Sequence, residues 1–169
     1  MDGKRTSVPL YLHITLLSFG LVLATGLVLR WFGDAIPGVV EFGLLLGAIF
    51  VQCLLGGLVA GAKAGFIYTD WPMMNGAVFP PVEWGKGAIA FLHDQGLVQF
   101  NHRIGAYLLL AAGTAYAIHA WRWRLAEGLG VSAFVLAASL WLQASLGVVT
   151  LMHAVPITLG ALHQAVAAL

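Results

Sequence analysis

Hydrophobic and polar residues alternate in long blocks along this chain, and the apolar blocks have the length of membrane-spanning helices. Apolar runs cover residues 8–32, 39–62, 95–121 and 129–152, and a fifth begins near Val155. About 20 apolar residues cross the hydrocarbon core of a bilayer as a helix, so the first four runs predict spanning helices. The fifth run reaches Leu169 after about 15 residues, which is too short to span. We therefore expect a fragment of a longer chain, cut inside its last helix.

Short turns connect most of these predicted helices, and only one connection is long. The sequences GDAIPG (33–38), RWRLAEG (122–128) and HAVP (153–156) predict turns, whereas the polar, Pro- and Trp-containing stretch 63–94 predicts a loop. Because consecutive helices run in opposite directions, the N-terminus, this long loop and the HAVP turn share one side of the membrane, here called side A. Arginines in the short turns of the opposite side favour that side as cytoplasmic.

The composition indicates that the solvent of this chain is lipid. Of 169 residues, 60% are hydrophobic and 9% are charged, and the mean hydropathy is +0.91. A soluble domain carries about a quarter charged residues to face water. We therefore predict an all-α, polytopic transmembrane helix bundle with four spanning helices and a truncated fifth. The net charge of +1 gives no support for nucleic-acid binding, and the single Cys53 excludes an internal disulfide or a cysteine-based metal cluster.

Three of the six histidines are expected at a common depth in the membrane. His13, His102 and His163 lie in three predicted helices that all enter from side A. They follow the helix starts by about five, seven and eight residues, which places the rings about 8–12 Å below one membrane face. Polar groups at that depth are costly, so a functional interpretation is favoured for these three. The remaining histidines, His93, His119 and His153, are expected near helix ends.

Two histidines on facing helices can hold a haem iron from its two axial sides, with the porphyrin filling the space between the helices. A zinc or copper site needs more ligands nearby, and no Cys, Asp or Glu is predicted at matching depth. A proton relay usually uses carboxylates, which these helices lack apart from Glu41 near an end. Buried neutral imidazoles bonded to Gln99, Asn101 or Gln143 are the simpler alternative. On these residues alone, haem ligation and a structural role both remain open.

Arg103 directly follows His102, and it favours the haem hypothesis. A guanidinium beside an iron-binding histidine can meet the propionate carboxylates of the same haem. The alternative is an arginine that extends its head group towards side A. In the long loop, Asp70, Trp71 and Pro72 could cover the pocket from side A, or could form a turn with an interfacial tryptophan.

Four motifs in order resemble haem A synthase over about residues 40–169. They are LLGGLVAGAKAGFIYTDWPMM (54–74), VQFNHRIGAY (98–107), LQASLGVVTLMHAVP (142–156) and LGALHQAVA (159–167). The first is a small-residue helix that ends in an aromatic-Pro-Met loop, and the second is the Gln-Phe-x-His-Arg motif. No single motif is common, and their joint spacing is rarer still. The opening SVPLYLHITLL (7–17) looks like the start of the family's fourth helix.

The resemblance implies an eight-helix protein made of two four-helix halves. Residues 1–38 would be helix four with its turn, and residues 39–169 would be the C-terminal haem-binding half. This half would hold a b-type haem with His102 and His163 as iron ligands and Arg103 at a propionate. His13 would be the helix-four ligand of the substrate, haem O, which otherwise binds in the missing half. No catalytic residue is expected in this chain.

The implied activity is oxidation of a haem O methyl group to the formyl group of haem A, by successive hydroxylation and loss of water, for terminal oxidase assembly. The b-type haem would transfer electrons or stabilise structure, and the fragment alone would be inactive. Expected partners are the lipid bilayer, haem O, an unidentified electron donor, haem O synthase and terminal oxidase assembly factors. The expected location is the bacterial inner membrane, or the mitochondrial inner membrane in a eukaryote. Two alternatives stay open: a membrane b-type cytochrome without enzymatic activity, and a haem-free transporter or assembly protein.

Overall fold

The computed structural model of the chain describes residues 38–82, 84–123 and 128–168. Within these ranges the regular structure is helical, apart from one isolated bridge between Met74 and Ala77. The predicted all-α fold is thereby confirmed. The predicted first helix, with His13, and most of the turn after it lie outside the described residues.

Four main helices form the described part of the chain. They are α1 (Val39–Gly61), α2 (Gln95–Trp123), α3 (Leu129–Met152) and α4 (Ile157–Ala167). By length and composition, the first three can cross a membrane, whereas α4 is shorter. The polytopic membrane bundle is therefore confirmed. The predicted bounds of α3 agree with the structure, α2 continues two residues beyond the predicted end at Trp121, and α4 starts two residues after Val155.

The start of α2 is fixed by two side chains. The carboxylate of Asp94 accepts a hydrogen bond of 2.8 Å from the backbone N–H of Leu97, which is one of the N–H groups that lack a partner at a helix start. The side-chain amide of Gln95 donates to the carbonyl of Ala62 at 2.6 Å, just beyond the end of α1. The two bonds set where α2 begins and join it to the end of α1.

The α2 helix is the centre of the bundle. It packs against α1 on one side and α3 on the other, and α4 packs against α3. Small residues dominate the contacts between these helices, so their backbones approach closely. Close packing is needed because the hydrophobic effect does not drive helices together within lipid. Large apolar side chains such as Phe50 and Phe134 point outwards, as expected for a lipid-facing surface. The buried core consists of Leu45, Leu109, Tyr116, Ala117, Ala120, Ala133 and Ala137.

The long loop between α1 and α2 is structured. It contains short helical pieces at Ala64–Phe66, Trp84–Ile89 and Ala90–His93. Residues 74–77 form a tight reverse turn, with Asn75 and Gly76 at φ values of 54° and 80°. An Asn-Gly pair favours such a turn, because both residues tolerate positive φ.

Candidate functional site

His102 lies about two turns into α2, and a residue pair on α1 holds its ring. The side-chain nitrogen of Gln52 lies 3.0 Å from Nδ1 of His102. The same nitrogen donates to the backbone carbonyl of His102 at 2.9 Å. One turn further along α1, Gly56 lies so close that a Cβ there would be 3.2 Å from Cε1 of the ring. The absence of a side chain at Gly56 therefore makes room for the imidazole.

His163 on α4 is held in the same way by α3. The side-chain nitrogen of Gln143 donates to the backbone carbonyl of His163 at 2.8 Å. A Cβ at Gly147 would lie 2.9 Å from Cε1 of the His163 ring, closer than real Cβ contacts allow. Nδ1 of His163 is buried and has no hydrogen-bond partner among the described residues.

The two histidines thus occupy two copies of one arrangement. In each copy a glutamine and a glycine four residues later share one helix face, and they flank a histidine of the following helix. The sequences are QCLLG at 52–56 and QASLG at 143–147. We call each of these a Gln–Gly pair. The repeat relates the α1–α2 hairpin to the α3–α4 hairpin.

His102 and His163 lie on helices that make little direct contact. In the described part of the chain, α2 packs mainly on α1 and α3, and α4 packs mainly on α3. The two hairpins nevertheless meet beside both histidines, because Sγ of Cys53, next to Gln52 on α1, lies 4.0 Å from the carbonyl of Ala167, one turn beyond His163. No hydrogen bond among the described residues uses Nε2 of either ring. Two imidazoles with available Nε2 atoms fit the axial positions of a haem iron, whose other four ligands come from the porphyrin.

A metal ion held only by protein side chains fits this region less well. Across residues 38–82, 84–123 and 128–168, no group of three or more His, Cys, Asp or Glu side chains is placed to share one ion. Structural and catalytic zinc sites need three or four such ligands. Within those ranges, His102 and His163 alone do not supply the ligands that such a zinc site needs.

Arg103 connects α2 to the long loop. Its two terminal nitrogens donate to the carbonyls of Met73, at 2.9 Å, and Tyr68, at 3.0 Å. The side chain of Gln99 donates to the same Tyr68 carbonyl at 2.9 Å. Nε of Arg103 is buried without a partner among the described residues, so one donor remains for another acceptor. The predicted contact of Arg103 with a propionate stays a prediction.

Replacing Arg103 with methionine is expected to release the loop from α2. Each hydrogen bond from a charged donor contributes roughly 1.5–3 kcal/mol, so the loop should open more than about tenfold more often. Limited proteolysis in detergent would show faster cleavage within residues 68–82. The matched control is Arg122→Met, because Arg122 lies exposed at the far end of α2. Equal cleavage rates in the two variants would contradict the assigned contact.

Asp70 gives the loop a dependence on pH. Both carboxylate oxygens accept the backbone N–H of Asn75, at 2.9 and 2.8 Å. This bond is the main reason why the pKa of Asp70 lies below its ordinary value of 3.8, and the charge of Arg103 acts in the same direction. The pKa of Asp70 is lower in the folded loop than in an unfolded chain. The ionised carboxylate therefore stabilises the folded loop fully above pH 3.8, and this stabilisation is lost as the pH falls through the lower pKa of the folded loop.

We therefore expect loop proteolysis to accelerate in acid, with a midpoint below pH 3.8, measured with an acid-active protease. The Asp70→Asn variant should lack this transition, because its side chain does not ionise in that range. A transition that persists unchanged in Asp70→Asn would show that other groups control the loop.

Trp71 joins the long loop to α2. The indole N–H of Trp71 donates to the hydroxyl of Tyr107 on α2 at 2.9 Å, so the loop contacts α2 at a second point.

The remaining histidines have partners close to them in the sequence. Nδ1 of His93 lies 3.2 Å from the carbonyl oxygen four residues earlier, and Nδ1 of His153 lies 2.8 Å from the equivalent oxygen. Each Nδ1 must donate in these bonds, because a carbonyl can only accept. His119 lies beside Trp123. These three histidines are explained by local contacts, in contrast to His102 and His163.

Comparison with known proteins places this architecture in a family. The family described as cytochrome oxidase assembly protein matches residues 8–169. The chain belongs to this family. No solved structure matches the chain.

Curated relatives in the cytochrome oxidase assembly family carry the name heme A synthase. The relative from Caulobacter vibrioides is 58% identical over 125 residues, covering 73% of this chain and 36% of the relative. The relative from Methylorubrum extorquens strain PA1 is 41% identical, covering 96% and 45%. The relative from Rhodopseudomonas palustris strain BisA53 is 41% identical, covering 100% and 48%. The chain therefore spans less than half the length of several relatives that it matches.

Membership in the cytochrome oxidase assembly family confirms the resemblance that the four motifs indicated. The ligand roles predicted for His13, His102 and His163 stay predictions. The structure brings His102 and His163 to one region, with Arg103 beside the loop. Sequence reasoning did not identify Gln52, although comparing QCLLG with QASLG would have found it. Gly56 belongs to the small-residue helix of the first motif, and the ring of His102 lies against this glycine.

Proposed function

We propose that this chain forms the haem b-binding half of a haem A synthase. The observation that carries the proposal is the paired arrangement of His102 and His163, whose Nε2 atoms lack hydrogen bonds in the described part of the chain, on helices that barely contact each other. Membership in a family of cytochrome oxidase assembly proteins supports a role in haem A biosynthesis.

In this proposal the residues of the chain bind and orient a haem. His102 and His163 would hold the iron axially, and the two glycines of the Gln–Gly pairs leave room for their rings. Arg103 would direct its free Nε towards a propionate. A bis-histidine haem supplies one-electron transfer or structural support, because neither axial position remains open for oxygen or substrate. We therefore assign no catalytic residue within this chain.

The proposed reaction of the whole protein is oxidation of haem O to haem A. Two successive hydroxylations would convert the methyl group to a gem-diol, which loses water to give the formyl group. The four electrons that the carbon loses would pass to an oxidant such as O2, and the electron donor would supply the two further electrons that each O2 requires. His13 would bind the substrate haem from the helix that the sequence predicts before α1. An electron donor, haem O synthase and terminal oxidase assembly factors are the proposed partners. The bacterial names of the matched relatives favour the bacterial inner membrane as the location.

A chimaera tests this function directly. The relative from Rhodopseudomonas palustris matches all of this chain, so the chain can replace the matched segment of that protein. In cells that make haem O, we expect the chimaera to produce haem A, measured by chromatography of extracted pigments. Chimaeras with His102→Ala or His163→Ala should lose haem A. His153→Ala is the matched control, since the His153 ring bonds, among the described residues, only to its own helix.

The outcomes separate the proposed function from its alternatives. A folded chimaera that contains haem b but makes no haem A would indicate an electron carrier. A folded chimaera without any bound haem would indicate a protein whose histidines are only structural.

A further inference from the structure

Gln52 and Gln143 are half-buried side chains whose hydrogen bonds do not account for their amide oxygens. Each donates to the backbone carbonyl of a histidine on the neighbouring helix, at 2.9 and 2.8 Å. A carbonyl inside an α-helix already accepts an N–H from four residues later, so neither carbonyl needs this donor. The side-chain oxygen Oε1 of both glutamines is buried and has no partner among the described residues. An unpaired buried acceptor costs roughly 1–3 kcal/mol and requires an explanation.

The chemistry of an iron-binding imidazole supplies the missing partner. A ring that binds iron through Nε2 carries its proton on Nδ1, and that N–H usually donates to a nearby oxygen. His93 and His153 place Nδ1 next to a carbonyl of their own helix, but His102 and His163 do not. Nδ1 of His163 is buried and unpaired, and Nδ1 of His102 lies 3.0 Å from the amide of Gln52.

A half-turn of the Gln52 amide, with a shift away from the His102 carbonyl to which its nitrogen now donates, would bring Oε1 to Nδ1 of His102. In the second hairpin, Oε1 of Gln143 and Nδ1 of His163 are each buried without a hydrogen-bond partner among the described residues. The Gln143 amide already bonds to the backbone of this histidine, and Gly147, one turn along the same face, contacts its ring.

We infer that Gln52 and Gln143 are positioning residues that orient the two haem ligands, with each amide oxygen accepting Nδ1–H of its histidine when Nε2 binds iron. The inference rests on the proposed haem site. In both Gln–Gly pairs the two residues then have the same roles. The glycine leaves space for the imidazole ring, and the glutamine determines which ring nitrogen carries the proton and how the ring is rotated. Accepting Nδ1–H makes the imidazole more electron-rich, which stabilises ferric over ferrous iron.

The midpoint potential of the bound haem tests this role. The purified chain and its variants would be loaded with haem b in detergent and titrated with reductant, while the visible spectrum is recorded. We expect Gln52→Leu and Gln143→Leu to raise the midpoint potential and to weaken haem binding by about 10–100-fold, the usual cost of losing such a partner. Gln52→Glu and Gln143→Glu retain an oxygen acceptor, so their potentials should stay at or below that of the unmodified chain.

A merely structural role predicts a different pattern. A glutamate cannot donate to the histidine carbonyl, so it would then behave like leucine, and the two substitutions would shift the potential in the same direction. Gln95→Leu is the matched control, because Gln95 also joins α1 to α2 through a carbonyl but touches no histidine. It should leave the potential unchanged.

The possible failures are distinguishable. If the unmodified chain is folded but binds no haem, the proposed function and this inference both fail. If the chain binds a bis-histidine haem but leucine and glutamate have equal effects, or Gln95→Leu shifts the potential as much as Gln52→Leu, only the positioning role is overturned.

Discussion

Alanine in place of His102 or His163 is expected to abolish tight haem binding by the purified chain. Each substitution removes one of the two axial ligands on which the proposed site depends. The loss should exceed the roughly 10–100-fold that removal of an outer-shell partner costs. Haem titration followed by visible absorption gives the affinity directly. Any haem that remains bound should have one open axial position and a high-spin spectrum.

The control for this experiment is His153→Ala, which removes a ring whose hydrogen bond, within residues 38–82, 84–123 and 128–168, is to its own helix. Its affinity for haem should equal that of the unmodified chain. Equal affinities in all three histidine variants would contradict the ligand assignment. A loss confined to one of His102 and His163 would contradict the paired arrangement.

Replacing Gly147 with alanine is expected to disturb the site without weakening the helix. The new Cβ would lie 2.9 Å from Cε1 of His163, so the ring must rotate or shift. Alanine is the better helix former by about 1 kcal/mol, which means that α3 itself should not be destabilised. We expect haem affinity to fall by on the order of 10–100-fold, as for other changes to ligand support. Haem titration and thermal unfolding, measured together, separate the two effects.

Alanine substitutions at two other glycines provide comparisons for the effect of Gly147→Ala on haem affinity. Gly56→Ala should have a smaller effect, because its Cβ would lie 3.2 Å from the His102 ring. Gly57→Ala is the matched control, since a Cβ there would meet nothing among the described residues. A Gly57→Ala variant that loses as much haem affinity as Gly147→Ala would show that the effect does not act through the histidine ring.

The helices could be predicted from the sequence because lipid imposes a simple rule. A spanning segment must be long, apolar and helical, since its backbone groups have no water to bond. The bounds of α3 followed directly from this pattern, and the start of α2 is marked by Asp94 as the capping residue. His102 and His163 lie seven and six residues after the starts of α2 and α4, close to the predicted positions. Their common depth in the membrane stays a prediction.

The contacts around the site could not be predicted because they join residues that are distant in sequence. The Gln–Gly pairs lie on α1 and α3, whereas the histidines that they hold lie on α2 and α4. Polar spacing within one helix does not show which neighbour its side chains meet. The same limit applied to Arg103, whose loop carbonyls at Tyr68 and Met73 are about 30 residues away.

The turn before α4 shows tertiary packing overriding a local preference. Ala154 and Val155 both adopt positive φ, at 58° and 55°, which is unfavourable for a β-branched residue. The Val155 side chain packs against Gly65 of the long loop, where a Cβ would lie 3.2 Å from it. The HAVP sequence correctly predicted a turn, but its backbone conformation depends on this contact with a distant segment.

The reduced-minus-oxidised visible spectrum of the purified, haem-loaded chain tests the central claim most directly. Axial ligation by His102 and His163 predicts a low-spin, b-type spectrum in both oxidation states, because both axial positions are filled. A folded chain that binds no haem, or that binds it only in a high-spin form, would contradict the bis-histidine site.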